Sequence, residues 1–459
     1  MPPLLGDRVH VEQLGPLGRV LVAVGAGLAM GLSWQPYNLW PLLFLGIAAF
    51  TLAVRGLGPR TAFGIGYAFG IAMLVVAINW VHVLGFWVAV ALIAFESLFF
   101  ALLGVAISVV TRLRFWPLAS ACAWMLIEFA YSRIPFGGFG WTRIAYAAVD
   151  TPLAGFFPTI GVAGVSFLVA VVGQLVAWAV ISLAPRPPQP AGRSAGSGAR
   201  RLALTTSATL TMAIVLIGYS LRWYQVEPVA GREGALNVGI VQGNVPGRGI
   251  EAMGRARSVT DNHLSETVNL MAKSRLGLTA APDFILWPEN STDIDPLRDV
   301  VTSRVVQSAT QVSGVPILVG AVMEGPGPDE RQTSALWWDP QRGILARYDK
   351  RNLVPFGEWI PFRAQLLPVL PILKQVGAQS VPGRTPGVLT VPVGQREVKV
   401  GDIICFELAY DRTVYQTLTG GAQLLMGRAT TPPTAVRARS SSSLPSPAHE
   451  RWSPAARSR

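Results

Sequence analysis

The first 222 residues hold more long apolar runs than a soluble domain could bury. Runs at about 17–34, 39–55, 61–81, 86–111, 115–131, 153–184 and 202–221 each approach the roughly 20 residues that a helix needs to cross hydrocarbon. In that medium a spanning segment must satisfy its backbone internally, so such runs fold as helices. The expected architecture for residues 1–222 is a multi-pass α-helical membrane bundle of about seven helices. Composition agrees, since only 14% of the 459 residues are charged against about a quarter in soluble domains. The sixth run is long, and its start at Pro152 to Pro158 reads as a re-entrant or interfacial segment. No cleavable signal pattern precedes the first run, which is expected to remain as an anchor.

Loop charges set an expected orientation. Arg8 and Arg19, then Arg55 and Arg60, then Arg112 and Arg114, then Arg186, Arg193, Arg200 and Arg201 fall in alternate loops. The loops around Trp34 to Asn38 and His82 to Gly85 carry neither Lys nor Arg. The excess of basic residues in cytoplasmic loops places the N-terminus inside and everything after Arg222 on the outer face. Only the 132–152 loop, with Arg133 and Arg143 against Asp150, weakens the alternation. Pro185 to Arg201, rich in Pro, Gly, Ser and Arg, reads as a flexible cytoplasmic linker. Within the runs, Asn79, Glu96 and Glu128 are costly in hydrocarbon; they either line a lipid-binding cavity or make interhelical hydrogen bonds.

The net charge of +12 does not point to nucleic acid, because no basic stripe with interleaved aromatics accompanies it. The two cysteines, Cys122 and Cys405, fall in a membrane run and in the polar half. Both read as free thiols, Cys122 as a small apolar side chain. Neither a cofactor nor a metal is called for.

From Leu236 the pattern becomes that of an α/β domain over 235–425. Expected strands are Leu236 to Gln242, Phe284 to Trp287, Pro316 to Val322, Ser334 to Asp339, Ile344 to Lys350 and Val398 to Cys405. The fourth and fifth form a hairpin across Pro340 to Gly343. Expected helices cover 258–276 and 296–313. Strands that are apolar throughout and alternate with helices imply a layered sandwich. Three chemical groups lie at the ends of these strands: Glu289 after Trp287-Pro288, Lys350 after Tyr348-Asp349, and Cys405 after Ile403-Ile404. A partly buried carboxylate suits a general base, a compact ammonium suits an oxyanion, and a thiol is a nucleophile.

Glu, Lys and Cys in this order resemble the nitrilase superfamily. The longer strings are similar to the apolipoprotein N-acyltransferase family within it. They are Val241-Gln242-Gly243-Asn244-Val245-Pro246, Trp287-Pro288-Glu289, Tyr348 through Glu358, and Ile404-Cys405-Phe406-Glu407, the last with Phe in place of the usual Tyr. Pro36 to Pro41, Ile78 to Val81 and Gly140 to Phe167 are also similar in the membrane half. The resemblance implies a nitrilase-like αββα sandwich and a two-step acyl transfer. Glu289 would deprotonate Cys405, whose thiolate takes the acyl chain of a membrane phospholipid. Lys350 would hold the oxyanion. The thioester would pass its acyl group to the N-terminal α-amine of S-diacylglyceryl-cysteine in a diacylated apolipoprotein. Glu358 and Glu407 would orient Lys350 or Cys405. A polyprenol-phosphate mannose synthase, fused to some relatives, is a further partner that the resemblance raises. The competing readings are a membrane-tethered amidase that uses water and a non-catalytic envelope scaffold.

After Leu425 the resemblance stops. Residues 426–459 are rich in Arg, Pro, Ser and Ala, with no apolar run. Such a segment buries too little to fold, so it is expected to be disordered and the sandwich incomplete, as after a shifted reading frame. A domain lacking part of a sheet is expected to be impaired in activity.

Overall fold

The computed structural model describes residues 10–184, 195–223, 235–244 and 257–429. The chain divides into two compact units, one helical and one mixed.

The helical unit contains α1 (Pro16–Gly31), α2 (Pro41–Val54), α3 (Pro59–Ala77), α4 (Phe86–Val110), α5 (Trp116–Tyr131), α6 (Phe157–Leu183) and α7 (Ala195–Trp223). All the apolar runs thus form helices. Among the described residues, four stretches, Pro59–Ala77, Phe86–Val110, Pro152–Leu183 and Gly198–Trp223, are long and apolar enough to cross a membrane. Pro16–Gly31 and Pro41–Val54 are apolar but shorter. Glycines let the backbones meet. A Cβ at Gly66 of α3 would fall 2.4 Å from Phe100 O, and one at Gly104 of α4 would fall 2.5 Å from Ala62 O, the close approach typical of membrane helix pairs. Phe50, Phe69, Phe100 and Trp124 pack ring against ring at the centre. The sixth run begins as a short 3-10 turn, Pro152–Phe156, and α6 contains a non-helical Gly161 (φ 66°, ψ −173°).

Several expectations in this half need correction. Asn79 lies beyond the end of α3, in a 3-10 turn, and is exposed. Glu128 is buried and pairs with Arg143 (Nε to Oε1 3.3 Å) while accepting from Ile144 N at 2.9 Å. Arg143 is therefore a buried partner of α5 and not a free loop charge. Arg19 is likewise buried, donating to the carbonyls of Ala53 and Arg55. The linker is shorter than Pro185 to Arg201, because α7 begins at Ala195 and Arg200 donates to Leu183 O at 2.9 Å. Arg8 and residues 185–194 lie outside the described residues.

The second unit is built from two sheets. β1 (Val238–Ile240), β2 (Phe284–Leu286) and β3 (Ile317–Glu324) run parallel; β4 (Glu330–Asp339) and β5 (Gly343–Asp349) continue antiparallel, with β6 (Gln379–Ser380) beside β4. The expected hairpin is present, with Asp339 opposite Gly343. The other sheet contains β7 (Val388–Val393), β8 (Arg396–Ile404) and β9 (Leu424–Arg428), β7 antiparallel and β9 parallel to β8. Phe284, Leu318, Trp337 and Tyr348 from the first sheet pack with Leu389, Val391, Val400 and Met426 from the second. On the opposite face of the first sheet, Ile285, Trp287, Ile317 and Val319 pack with Val306 and Ala309 of α9 (Val300–Ser313) and with Leu264 and Leu270 of α8 (Ser258–Arg275). α10 (Asp411–Thr419) covers β8, where Gly401 leaves room for Thr417. The α/β sandwich expected from the strand pattern is thus observed.

Some boundaries differ from expectation: β1 is shorter than Leu236 to Gln242, and β4 begins at Glu330 and not at Ser334. α9 starts at Val300 and not at 296, because the Asp299 carboxylate caps it by accepting from Thr302 N at 2.7 Å. β8 ends at Ile404, since Cys405 takes a left-handed conformation (φ 53°) that a strand cannot hold. The fold does not stop at Leu425: β9 reaches Arg428, its Leu424 and Met426 facing the core and Arg428 in an ion pair. Residues 430–459, most of the tail expected to be disordered, lie outside the described residues, as do Val245 and Pro246.

Candidate active site

Glu289 follows β2, a strand of three fully buried residues. The chain after it is pinned to β3: Ser291 Oγ and Thr292 N both donate to Gly320 O, at 2.8 and 3.0 Å. Gly320 is required there, since a Cβ would fall 2.0 Å from Pro288 O and 2.9 Å from Glu289 Cα. Lys350 follows β5. Strand alternation turns Tyr348 and Lys350 to one face, and both are about 1% exposed. The Lys350 backbone is fixed on both sides, its N–H to Thr333 O and its carbonyl to Gly383 N, each at 2.8 Å.

The buried ammonium of Lys350 donates to Glu289 Oε1 at 3.0 Å and to Glu358 Oε1 at 2.9 Å. The other Glu358 oxygen accepts from Val354 N at 2.7 Å, so the loop after β5 folds back onto its own lysine. Burial would pull Lys350 below its usual range, but the charges of Glu289 and Glu358 outweigh it and hold the ammonium above that range. It is a fixed cation.

Cys405 sits at the tip of a tight turn between β8 and a 3-10 segment, Cys405–Ala409. A non-glycine residue at φ 53° is strained, and residues held in such sparsely populated conformations cluster at active sites. The thiol is within electrostatic reach of the Glu289 carboxylate, of Lys350 and of Glu358. Burial and then the Glu289 charge push the thiol up, while Lys350 opposes them. The resting sulfur is therefore a neutral thiol beside a carboxylate that can take its proton.

Glu407 touches neither Lys350 nor Cys405 by its side chain. Fully buried, it accepts from Ile404 N (2.9 Å), Arg351 N (2.8 Å), Asn352 N (3.2 Å) and the Tyr348 hydroxyl (2.7 Å). Burial raises its carboxyl, opposed by those four donors. It holds the backbone just before Cys405 and just after Lys350. The structure thus brings together Glu289, Lys350, Glu358 and Cys405, and sets Glu407 behind them. Sequence reading did not single out Tyr348, Tyr410 or Gly320. Tyr348 had a signal, its two-residue spacing from Lys350. Tyr410 packs edge-on against Phe406 at 5.2 Å, and burial raises its phenol to about 12, Lys350 opposing.

A family model for the N-terminal domain of apolipoprotein N-acyltransferase matches residues 26–175. The apolipoprotein N-acyltransferase of Mycolicibacterium smegmatis is 35% identical over 438 residues, covering 92% of this chain and 71% of its own. The chain belongs to the apolipoprotein N-acyltransferase family. Another member, from Photobacterium profundum, is 24% identical over 437 residues, covering 89% of this chain and 76% of its own. Among solved structures, an amidase of the nitrilase superfamily from Nesterenkonia AN1 is similar over 44% of this chain and 70% of its own, at 16% identity and a TM-score of 0.29. The apolipoprotein N-acyltransferase family is one of acyltransferases, and the long apolar helices of the first unit suit a membrane enzyme of that kind.

Proposed function

We propose that this chain moves an acyl chain from a membrane phospholipid to the N-terminal α-amine of S-diacylglyceryl-cysteine in apolipoproteins, through a thioester on Cys405. The observation that carries this reading is the buried Lys350 ammonium held between Glu289 at 3.0 Å and Glu358 at 2.9 Å, with Cys405 in the turn at the end of β8 within electrostatic reach of all three.

Glu289 takes the thiol proton as the sulfur attacks the ester carbonyl of the phospholipid. The tetrahedral oxyanion forms beside Lys350, whose charge is fixed before the reaction begins. Collapse breaks the ester C–O bond, and the proton on Glu289 passes to the departing lysophospholipid alkoxide. The acceptor amine then attacks the thioester, Glu289 takes its proton, and that proton returns to the sulfur as the C–S bond breaks. Glu358 keeps Lys350 in place through both halves.

The catalytic domain is placed on the outer face of the cytoplasmic membrane. The loop charges support this, and the burial of Arg143 against Glu128 leaves Arg133 as the basic residue that still opposes the alternation. The compositional break after Leu425 carries the accompanying proposal of reduced activity. A chimera that replaces residues after Arg428 with those of the Mycolicibacterium relative tests it. Association with a polyprenol-phosphate mannose synthase is tested by co-purification from membranes.

Incubation of the full chain with phospholipid and a synthetic S-diacylglyceryl-cysteine peptide tests the reaction. N-acylated peptide and lysophospholipid in equal amounts are expected. Release of free fatty acid with no acylated peptide would point instead to hydrolysis.

A further inference from the structure

Arg428 is the last residue of β9 and lies just past the point where the family resemblance ends. Its side chain is about 1% exposed, and the guanidinium grips Asp402 with two bonds, Nε to Oδ1 at 2.8 Å and Nη2 to Oδ2 at 2.6 Å. Asp402 is wholly buried on β8, three residues before Cys405. The third nitrogen, Nη1, reaches Trp287 O at 3.3 Å, two residues before Glu289. A Cβ on Gly320 would meet both this nitrogen (2.8 Å) and Glu289 Cα (2.9 Å), so Arg428 stands directly behind the Glu289 backbone. One side chain therefore bridges the two sheets at the points where each delivers a reacting group.

We propose that Arg428 is a positioning residue for the Glu289–Cys405 pair: it ties the carbonyl at the end of β2 to the carboxylate near the end of β8. The inference rests on the reading of Glu289 as the base for Cys405. A guanidinium suits the task, since its rigid fork holds a carboxylate with two nitrogens and leaves a third free to bind a carbonyl. A lysine could not hold all three oxygens. Positioning matters because proton transfer from thiol to carboxylate needs hydrogen-bond contact, and a displacement of about 1 Å can cost about 100-fold in rate.

The test is the rate of Cys405 alkylation by iodoacetamide across pH, read by peptide mass spectrometry on the full chain in detergent. That readout separates Cys405 from Cys122 and needs no acyl donor. With Glu289 in place, the rate is expected to hold a neutral plateau, where the carboxylate takes the proton, and a separate alkaline limb, where the thiol ionises unaided. R428K is expected to lower the plateau about 10-fold or more and leave the alkaline limb unmoved. The double variant D402L with R428M replaces the buried pair by apolar side chains, a change that buried ion pairs often tolerate in folding; it should fold and lose the plateau likewise. E289Q should abolish the plateau. A wild-type plateau in both R428K and the double variant, with the plateau lost in E289Q, would overturn the role of Arg428 alone. A plateau that persists in E289Q would overturn the base assignment and the Arg428 proposal with it.

Discussion

The Tyr348 hydroxyl lies 2.7 and 2.9 Å from the two carboxylate oxygens of Glu407, both side chains being buried. Tyr348 is two residues before Lys350 on one sheet, and Glu407 is two residues after Cys405 on the other. The contact therefore fixes the distance between a cation and a nucleophile delivered by separate sheets. Y348F removes one hydrogen bond to a charged acceptor, and a loss of about 1.5–3 kcal/mol is expected. E407A strands four donors at once, and a larger loss of about 3–5 kcal/mol is expected. Chemical unfolding of the purified protein would measure both. Equal losses for the two variants would contradict the role given to Glu407.

Lys350 is the group that opposes the upward push on the Cys405 thiol, so its removal has a signed consequence. Burial and the Glu289 charge already place the thiolate limb of alkylation above the ordinary 9.0. In K350Q that limb should move to still higher pH, because the lowering influence is gone and the raising ones remain. A pH titration of Cys405 alkylation checks this, and an unmoved or lowered limb would count against the site electrostatics.

Glu358 bonds Lys350 and Val354 N with different oxygens. E358Q keeps the shape but weakens the hold on the ammonium. Acyl-enzyme formation should slow by about 10-fold or more while donor binding changes little. A rise in KM with unchanged kcat would show that Glu358 serves donor binding instead.

The proposed outward orientation of the catalytic domain makes a separate prediction. Arg396 is exposed at the start of β8. In intact cells, R396C should react with a membrane-impermeant maleimide before lysis. Reaction only after lysis would reverse the orientation.

The sequence makes the membrane helices, the hairpin of β4 and β5, and the order of Glu289, Lys350 and Cys405 legible because each depends on local pattern. Apolar runs of span length and fully apolar strands need no distant partner to be recognised. β7 escaped because Pro392 interrupts it; as an edge strand it tolerates a proline that a central strand would not. β9 escaped because its outward residues and Arg428 break the apolar run, and Arg428 is acceptable in a core only through Asp402, 26 residues earlier. Glu128 was legible as a costly charge and Arg143 as a loop charge, but not the two as a pair, because the contact that joins them is tertiary. Glu407 was legible as a supporting carboxylate. Its four donors come from segments that meet only when the two sheets pack.

The central claim is that Cys405 carries the acyl group. Incubating the chain with a phospholipid bearing an alkyne-tagged acyl chain, with no acceptor present, and then mapping the adduct by mass spectrometry tests it most directly. The account predicts a hydroxylamine-sensitive acyl adduct on Cys405, absent from C405A and sharply reduced in E289Q and K350Q. An equal thioester adduct in C405A, or a stable adduct on another residue of the active wild-type chain, would contradict it.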